Sequence, residues 1–429
     1  MPWALLAAVF FVDVGIWILT GFLRINYSLS VSFFATFYGL LGITAVRLAW
    51  SPQKLTQQVE PNRTFTRLGW IWFWVVLLAW GGNAISSDQP AKATLFNLLI
   101  PLSLAAAHLA VWGTPWNDRT WVRLGRVFGI VLGIDMVVSV LTIWLVNVTQ
   151  TIPSLAFFLN PRYPVILFPL AGRLMVRTPG IFESGGTNGS FLLLAAGLCA
   201  SYTLLAPSSR RSKAAALAAL VGLGLLVVGT LTRRSIAGLI TLIAVIGGMS
   251  ALIKRRYILT SLVFLTAIGA VGLVAYVFPS LFEARSLVQR IDFWSENLET
   301  LVGTMPWRLF TGYGQLQSSV EFTQTSGLAL LDNGALGLLV YGGVLYFLVV
   351  VWYYAELFRL NVRLVRSLDA GSRWLAVTNV GLLSAMLVIA SFSIFVTNIT
   401  EAFPLMIGSN LLTRSLLERT RMGPSSANG

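Results

Sequence analysis

The sequence predicts an all-helical, polytopic integral membrane protein of about 12 transmembrane helices, with a large outer loop between spans 9 and 10. Three observations carry that reading. Of 429 residues 56% are hydrophobic and 11% charged, less than half the charged share of an average soluble protein. Apolar runs of about 17 to 25 residues recur along the whole length, each long enough to cross roughly 30 Å of hydrocarbon as a helix, which excludes a transmembrane barrel. Lys and Arg fall between these runs rather than in a basic domain, so the net charge of +14 reflects membrane topology rather than nucleic-acid binding.

The first span, 3–22, lacks a basic n-region, contains Asp13 and has no small-residue cleavage site, so it reads as retained rather than as a signal peptide. Spans at 30–50, 67–86, 92–113 and 124–148 follow, separated on one side by Arg47, Lys54, Arg63 and Arg67 and by Arg119, Arg123 and Arg126. The next four, 188–206, 213–231, 236–252 and 257–278, carry Arg210, Arg211 and Lys213, then Lys254, Arg255 and Arg256, on that same side. The last three are 329–357, 374–397 and 402–417, with Arg359, Arg363, Arg366 and Arg373 between the first two and Arg414, Arg419 and Arg421 at the end. A cytoplasmic N-terminus puts 20 of the 30 basic residues inside, as the positive-inside rule requires, and both termini are then cytoplasmic. The 15 tryptophans sit largely near span ends, as an aromatic belt would place them.

Residues 1–422 thus form a single transmembrane helical domain, and 423–429 a short polar, disordered tail. Two outer loops are long, 149–187 and 279–328, and together are expected to form a catalytic cap. The stretch Ser154 to Val176, with Pro161, Pro164, Arg162 and Arg173, is too interrupted for a clean span and reads as an interfacial or re-entrant helix. The second loop, with Trp294, Trp307, Tyr313 and several acids, reads as a small helical cap. One cysteine, Cys199, and one histidine, His108, both within apolar runs, leave no disulfide framework or zinc spacing, and no metal is expected.

Three local features can carry chemistry. Thr232-Arg233-Arg234-Ser235 interrupts an apolar stretch from Ala214 to Ile253, so it marks a tight turn at the outer surface. Single arginines at helix ends commonly snorkel; two adjacent ones on the side depleted in basic residues are suited to grip a phosphate at headgroup depth. The polar segment from Arg177 through Glu183 to Ser190 is glycine-rich and leads into the sixth span. It is either an ordinary loop with Thr187 or Asn188 as N-cap, or a backbone that approaches an anion with free amides. The outer loop interleaves aromatics and polar groups, Arg290-Ile-Asp292-Phe-Trp294, Trp307 to Gly314 and Asp332-Asn333, a mixture that suits sugar rings or an amphipathic cap equally. Asp332, at the outer end of an apolar helix, is a candidate general base, because an ionised carboxylate there is costly unless paired or used. Asp13 and Asp135 are intramembrane acids that can simply bond a neighbouring helix, and they stand outside the expected site.

In order and topology these features resemble the bacterial O-antigen ligase and O-antigen polymerase superfamily of membrane glycosyltransferases. The resemblance runs from about Arg177 to the tenth span, over the loop 177–182, the turn 232–235, the 290–314 region and the Asp-Asn-x-x-Leu sequence at 332–336. It implies a glycan donor linked to undecaprenyl diphosphate. It also implies that Arg177, Arg233, Arg234 and Arg290 bind the diphosphate, that Trp294, Tyr313 and Asn333 bind glycan, and that Asp332 or Glu183 takes the acceptor proton. Asp292, Glu296 and Glu299 remain rival bases. Ligases of this family usually carry a histidine where Asp332 stands, and its absence favours the polymerase.

The resemblance therefore implies a metal-independent, inverting polymerase of lipid-linked repeat units, with no cofactor, on the periplasmic face of the bacterial inner membrane. Its partners would be the undecaprenyl-diphosphate-linked donor and acceptor, the bilayer, a flippase and a chain-length regulator, with no nucleic acid. The alternatives are an O-antigen ligase acting on lipid A core and a lipid-linked oligosaccharide flippase or transporter. Transporters usually show repeats with broken helices near the midplane, whereas here the polar residues gather on one side.

Overall fold

The computed structural model describes residues 60–85, 102, 104–113, 116, 118–149, 167–170, 173–178, 180, 185–255, 269, 292, 294–296, 299, 303, 308–312, 334–391 and 399–422. The helices are α1 (Glu60–Ile85), α2 (Leu104–Gly113), α3 (Asp118–Thr142, continued by a π-helical segment Ile143–Val148), α4 (Gly185–Leu205) and α5 (Arg210–Gly229). They continue with α6 (Arg233–Ile253), the single turn α7 (Arg308–Thr311), α8 (Gly334–Ser367), α9 (Ala370–Ser391) and α10 (Ile399–Met422). Between α3 and α4 lie two short strands, β1 (Leu167–Leu170) and β2 (Arg173–Val176).

Among the described residues six helices are long and apolar enough to cross a membrane: Arg119–Leu145, Gly185–Leu205, Arg210–Gly229, Arg233–Ile253, Gly342–Ser367 and Ala370–Ser391. The chain is therefore a polytopic helical membrane protein. Helices α1, α2 and α10 overlap the expected spans 67–86, 92–113 and 402–417 but are not among the six. The expected spans 3–22 and 30–50, and 257–278 apart from Gly269, lie outside the described residues.

Helix α4 is the centre of the bundle. After a small, polar first turn it reads Phe191 to Ala196 with apolar residues on every side, the pattern of a helix with no face reserved for water. It packs against α5, α6, α9 and α10, and 67% of its apolar window is buried, against 17% for α5. The outer side is formed by α5 and α3, which expose Leu217, Val221 and Leu225, and Ile130, Ile134, Val137 and Leu141, rows at helical spacing that suit lipid contact. Inside, small residues let helices close up. A Cβ at Gly238 on α6 would lie 2.9 Å from Ile389 Cδ1 of α9, the kind of contact that drives helix association where lipid removes the hydrophobic incentive.

Local chemistry sets the ends of these elements. Pro207 follows α4, and Ser209 caps α5, its hydroxyl accepting from the Ser212 amide at 3.2 Å. Lys254 Nζ donates to Leu204 O at the end of α4, 2.6 Å away, and Arg373 Nη2 donates to Leu368 O just past α8, 2.7 Å away. Both place a cation at the negative end of a helix dipole.

Helix α8 is two helices in series. Gly343 has φ 73° and ψ 178°, a region open essentially to glycine alone. A Cβ there would collide with the Phe310 carbonyl and lie 2.8 Å from the Gly312 nitrogen. The 308–312 segment of the second long loop thus docks at the break, packing also against α1.

The expected interfacial or re-entrant helix over 154–176 is corrected in its described part, which is an antiparallel hairpin pairing Leu167 with Val176 and Leu170 with Arg173. Pro169 explains the difference, since proline inside a helix loses a donor and clashes with the preceding turn, whereas a two-stranded ribbon tolerates it at an edge. The two residues separating the strands match the commonest hairpin connection.

A polar cluster joins α2, α8, α9 and α10. Trp112 Nε1 donates to Tyr353 OH at 2.7 Å and to Asn410 Oδ1 at 2.8 Å, and Tyr353 OH donates to the same Oδ1 at 2.5 Å. Asn361 and Asn379 both donate to Thr413 Oγ1, at 2.8 and 2.6 Å. His108 is fully buried here; its Nδ1 lies 2.6 Å from Leu104 O and so carries the proton, leaving Nε2 to accept from Tyr354 OH at 2.7 Å. His108 is a packed histidine.

Candidate functional site

Four stretches meet at the start of α4. They are the middle of α3, the segment 177–180 after β2, the first turn of α4 itself, and the turn from Thr230 to Ser235.

The Thr230–Ser235 turn forms where the sequence places it. Helix α5 ends at Gly229 and α6 begins at Arg233, with Leu231 at φ 51°, a left-handed conformation that costs a leucine roughly 1–2 kcal/mol. Hydroxyls line the turn. Thr230 Oγ1 donates to Val227 O at 2.7 Å, the Thr230 and Thr232 hydroxyls lie 2.9 Å apart, and Thr232 Oγ1 donates to Ser235 Oγ at 2.7 Å. Arg233 and Arg234, both half-buried, occupy the first two positions of α6. Two cations at the positive end of a helix dipole are electrostatically unfavourable by themselves. The same arrangement favours an anion, which the helix amides and the guanidinium groups can both meet.

The start of α4 lies directly on this turn because its residues are small. A Cβ at Gly185 would approach Thr230 O to 3.0 Å, one at Gly186 would land on the Arg234 guanidinium, and one at Gly189 would land on Ser235 Oγ. Two helix N-termini therefore come together, with the arginine side chain of one laid over the first turn of the other.

Asn188 ties this assembly to α3. The helix begins at Gly185, so Thr187 and Asn188 sit inside the first turn and the N-cap reading of these residues is corrected. The Asn188 amide instead reaches outward, Nδ2 donating to Ser139 Oγ of α3 at 3.1 Å and to Thr178 O at 3.2 Å. Asp135, one helical turn before Ser139 and fully buried, lies against Gly180. Gly180 has φ 59°, and a Cβ there would collide with Asp135 Oδ1 and lie 2.7 Å from Asn188 Nδ2.

Of the residues expected from sequence, Arg177, Arg233 and Arg234 belong to this assembly; Arg177 is exposed and directly precedes the buried Thr178. Trp294 is half-buried and packs against the hydrophobic core. Asp292, Glu296 and Glu299 are exposed. Glu183, Arg290, Tyr313, Asp332 and Asn333 lie outside the described residues. Sequence reasoning missed Asp135 and Ser139 as members. The available signal was an acid four residues before a serine on one face of an apolar helix, a pattern that marks a polar stripe turned toward the protein.

Comparison with protein-family models found no match to the chain, and comparison with curated proteins found none either.

Proposed function

We propose that this protein is a membrane glycosyltransferase that polymerises undecaprenyl-diphosphate-linked oligosaccharide repeat units into O-antigen or exopolysaccharide. It would work on the outer face of the bacterial inner membrane, with about 12 spans and both termini cytoplasmic. The observation that carries the reading is the meeting of the α4 and α6 N-termini around Arg234, with Arg233 beside it and Arg177 one residue from the Thr178 carbonyl that Asn188 holds.

That geometry suits a diphosphate leaving group. An acceptor hydroxyl of the incoming repeat unit attacks the anomeric carbon of the growing chain, forming a C–O bond as the bond from that carbon to the phosphate oxygen breaks. The electron pair departs with undecaprenyl diphosphate, where negative charge grows. Fixed guanidinium and amide donors stabilise that charge in a site of low dielectric. The acceptor proton passes to a carboxylate, Asp332 or Glu183 in this proposal, and direct displacement inverts the anomeric centre. No cofactor or metal enters the scheme.

The test is incubation of purified protein in nanodiscs with its lipid-linked repeat unit and EDTA. A ladder spaced by one repeat supports the polymerase; transfer only when lipid A core is added supports the ligase instead. Loss of the ladder in Arg233→Ala/Arg234→Ala, in a well-expressed variant, ties it to the arginines, and an unchanged ladder would sink the assignment.

The broken helix α8 is the one observation that favours transport. Its position argues the other way. Gly343 precedes Arg359 by 16 residues, about 24 Å at 1.5 Å per residue, so with Arg359 at the inner surface the break lies near the outer surface rather than at the midplane where transporter sites sit.

A further inference from the structure

Asp135 has no part in the chemistry above, yet it is a buried acid at the edge of the arginine site. Helix α3 otherwise turns apolar residues to the lipid side, Ile134 and Val137 among them. A carboxylate on such a helix is retained only where it is used. Its neighbours indicate the use. Gly180 packs so closely on Asp135 that no side chain fits between them, in a backbone conformation that itself favours glycine. One turn along α3, Ser139 Oγ accepts from Asn188, whose other amide hydrogen goes to Thr178 O. Helix α3 therefore meets the 178–180 segment at two points: Asp135 lies against Gly180, and Ser139 accepts from Asn188, which holds the Thr178 carbonyl.

We propose that Asp135 is a positioning residue of the anion site: with Ser139 and Asn188 it latches the 178–180 segment to α3 and α4, and so fixes where Arg177 stands relative to Arg233 and Arg234. The ligand in this inference rests on the diphosphate reading given above; the latch itself does not. A latch of this kind acts on the bound geometry of the diphosphate, so its loss weakens substrate binding before it slows the chemical step.

The test separates the two. In the full chain with Cys199→Ser, Thr178→Cys supplies a thiol at a fully buried position, and its reaction with a polar maleimide in detergent reads the latch without any substrate. Asp135→Ala is expected to speed that reaction at least about tenfold, Gly180→Ala to do the same from the other side, and Asp135→Asn to restore part of the protection. A second reporter, Ala107→Cys, at a fully buried position on α2, should stay protected throughout. Continued protection of Thr178→Cys in Asp135→Ala overturns the proposal. So does simultaneous opening of both reporters, which would make Asp135 a general support of the fold. In the polymerisation assay Asp135→Ala should raise KM for the repeat unit about tenfold with kcat within about threefold; an unchanged KM beside an active wild type also overturns the positioning role. A latch that opens as expected in a protein that makes no polymer refutes the glycosyltransferase reading and leaves the latch standing.

Discussion

The guanidinium of Arg234 lies in the space that a side chain at residue 186 would need. The contact joins the first turn of α4 to the first turn of α6, and it makes a small residue on one helix a condition for the placement of a cation on the other.

Gly186→Ala should therefore disable the site without unfolding the protein, because the group it meets is the far end of a flexible side chain. Polymer yield is expected to fall at least about tenfold while thermal stability in detergent changes little. In a double-mutant cycle, Gly186→Ala added to Arg234→Ala should cost almost nothing further, the signature of two residues acting as one unit.

Charge alone should not replace the arginines. Arg234→Lys keeps the cation but loses the planar fork that holds two phosphate oxygens at once. The expected loss of activity is about 1.5–3 kcal/mol of transition-state stabilisation, the worth of a hydrogen bond to a charged group, read as kcat/KM on the lipid-linked repeat unit. Wild-type activity in Arg234→Lys would show that the guanidinium shape is irrelevant.

Gly343→Ala tests the break in α8. The substitution must force an alanine to φ 73° and push its Cβ into the Phe310 carbonyl. A destabilisation of about 2 kcal/mol or more is expected, seen as a lower midpoint in thermal denaturation followed by tryptophan fluorescence. Alanine at Gly129, where a Cβ meets nothing within 4 Å, should be neutral or slightly stabilising in the same measurement.

The cluster around His108 should matter to folding and not to chemistry. Asn410→Ala takes the acceptor from Tyr353 OH and leaves Trp112 Nε1 only its bond to Tyr353, a cost of about 1–3 kcal/mol for the buried hydroxyl. His108→Phe removes the acceptor of Tyr354 OH. Both variants should lose stability yet polymerise at the wild-type rate per folded molecule; a rate loss without a stability loss would make His108 a candidate for the chemistry.

Helix positions were legible because an apolar run of spanning length admits little else. The expected 188–206, 213–231 and 236–252 lie within about three residues of α4, α5 and α6. The Thr232–Ser235 turn was legible for the complementary reason, two charges set in the middle of forty apolar residues. Three things were not. The hairpin at 167–176 depends on backbone pairing across a two-residue separation, which leaves only Pro169 as a local trace. The break at Gly343 hides in a glycine pair, common in membrane helices and uninformative until the 310–312 backbone is seen to need the room. Asp135 joins the site across more than forty residues of sequence, and nothing near it announces the glycine it will meet.

The interruption of α8 has a mechanical consequence. A continuous helix is a stiff rod, and a displacement at one end twists the other. Cut at Gly343, the rod couples residues 334–342 only weakly to the length that ends at Ser367. The 334–342 portion takes its bearing from the 308–312 segment instead. Strain reaching residues 334–342 is taken up at the break, while the buried amides and rings around Asn410 keep their register.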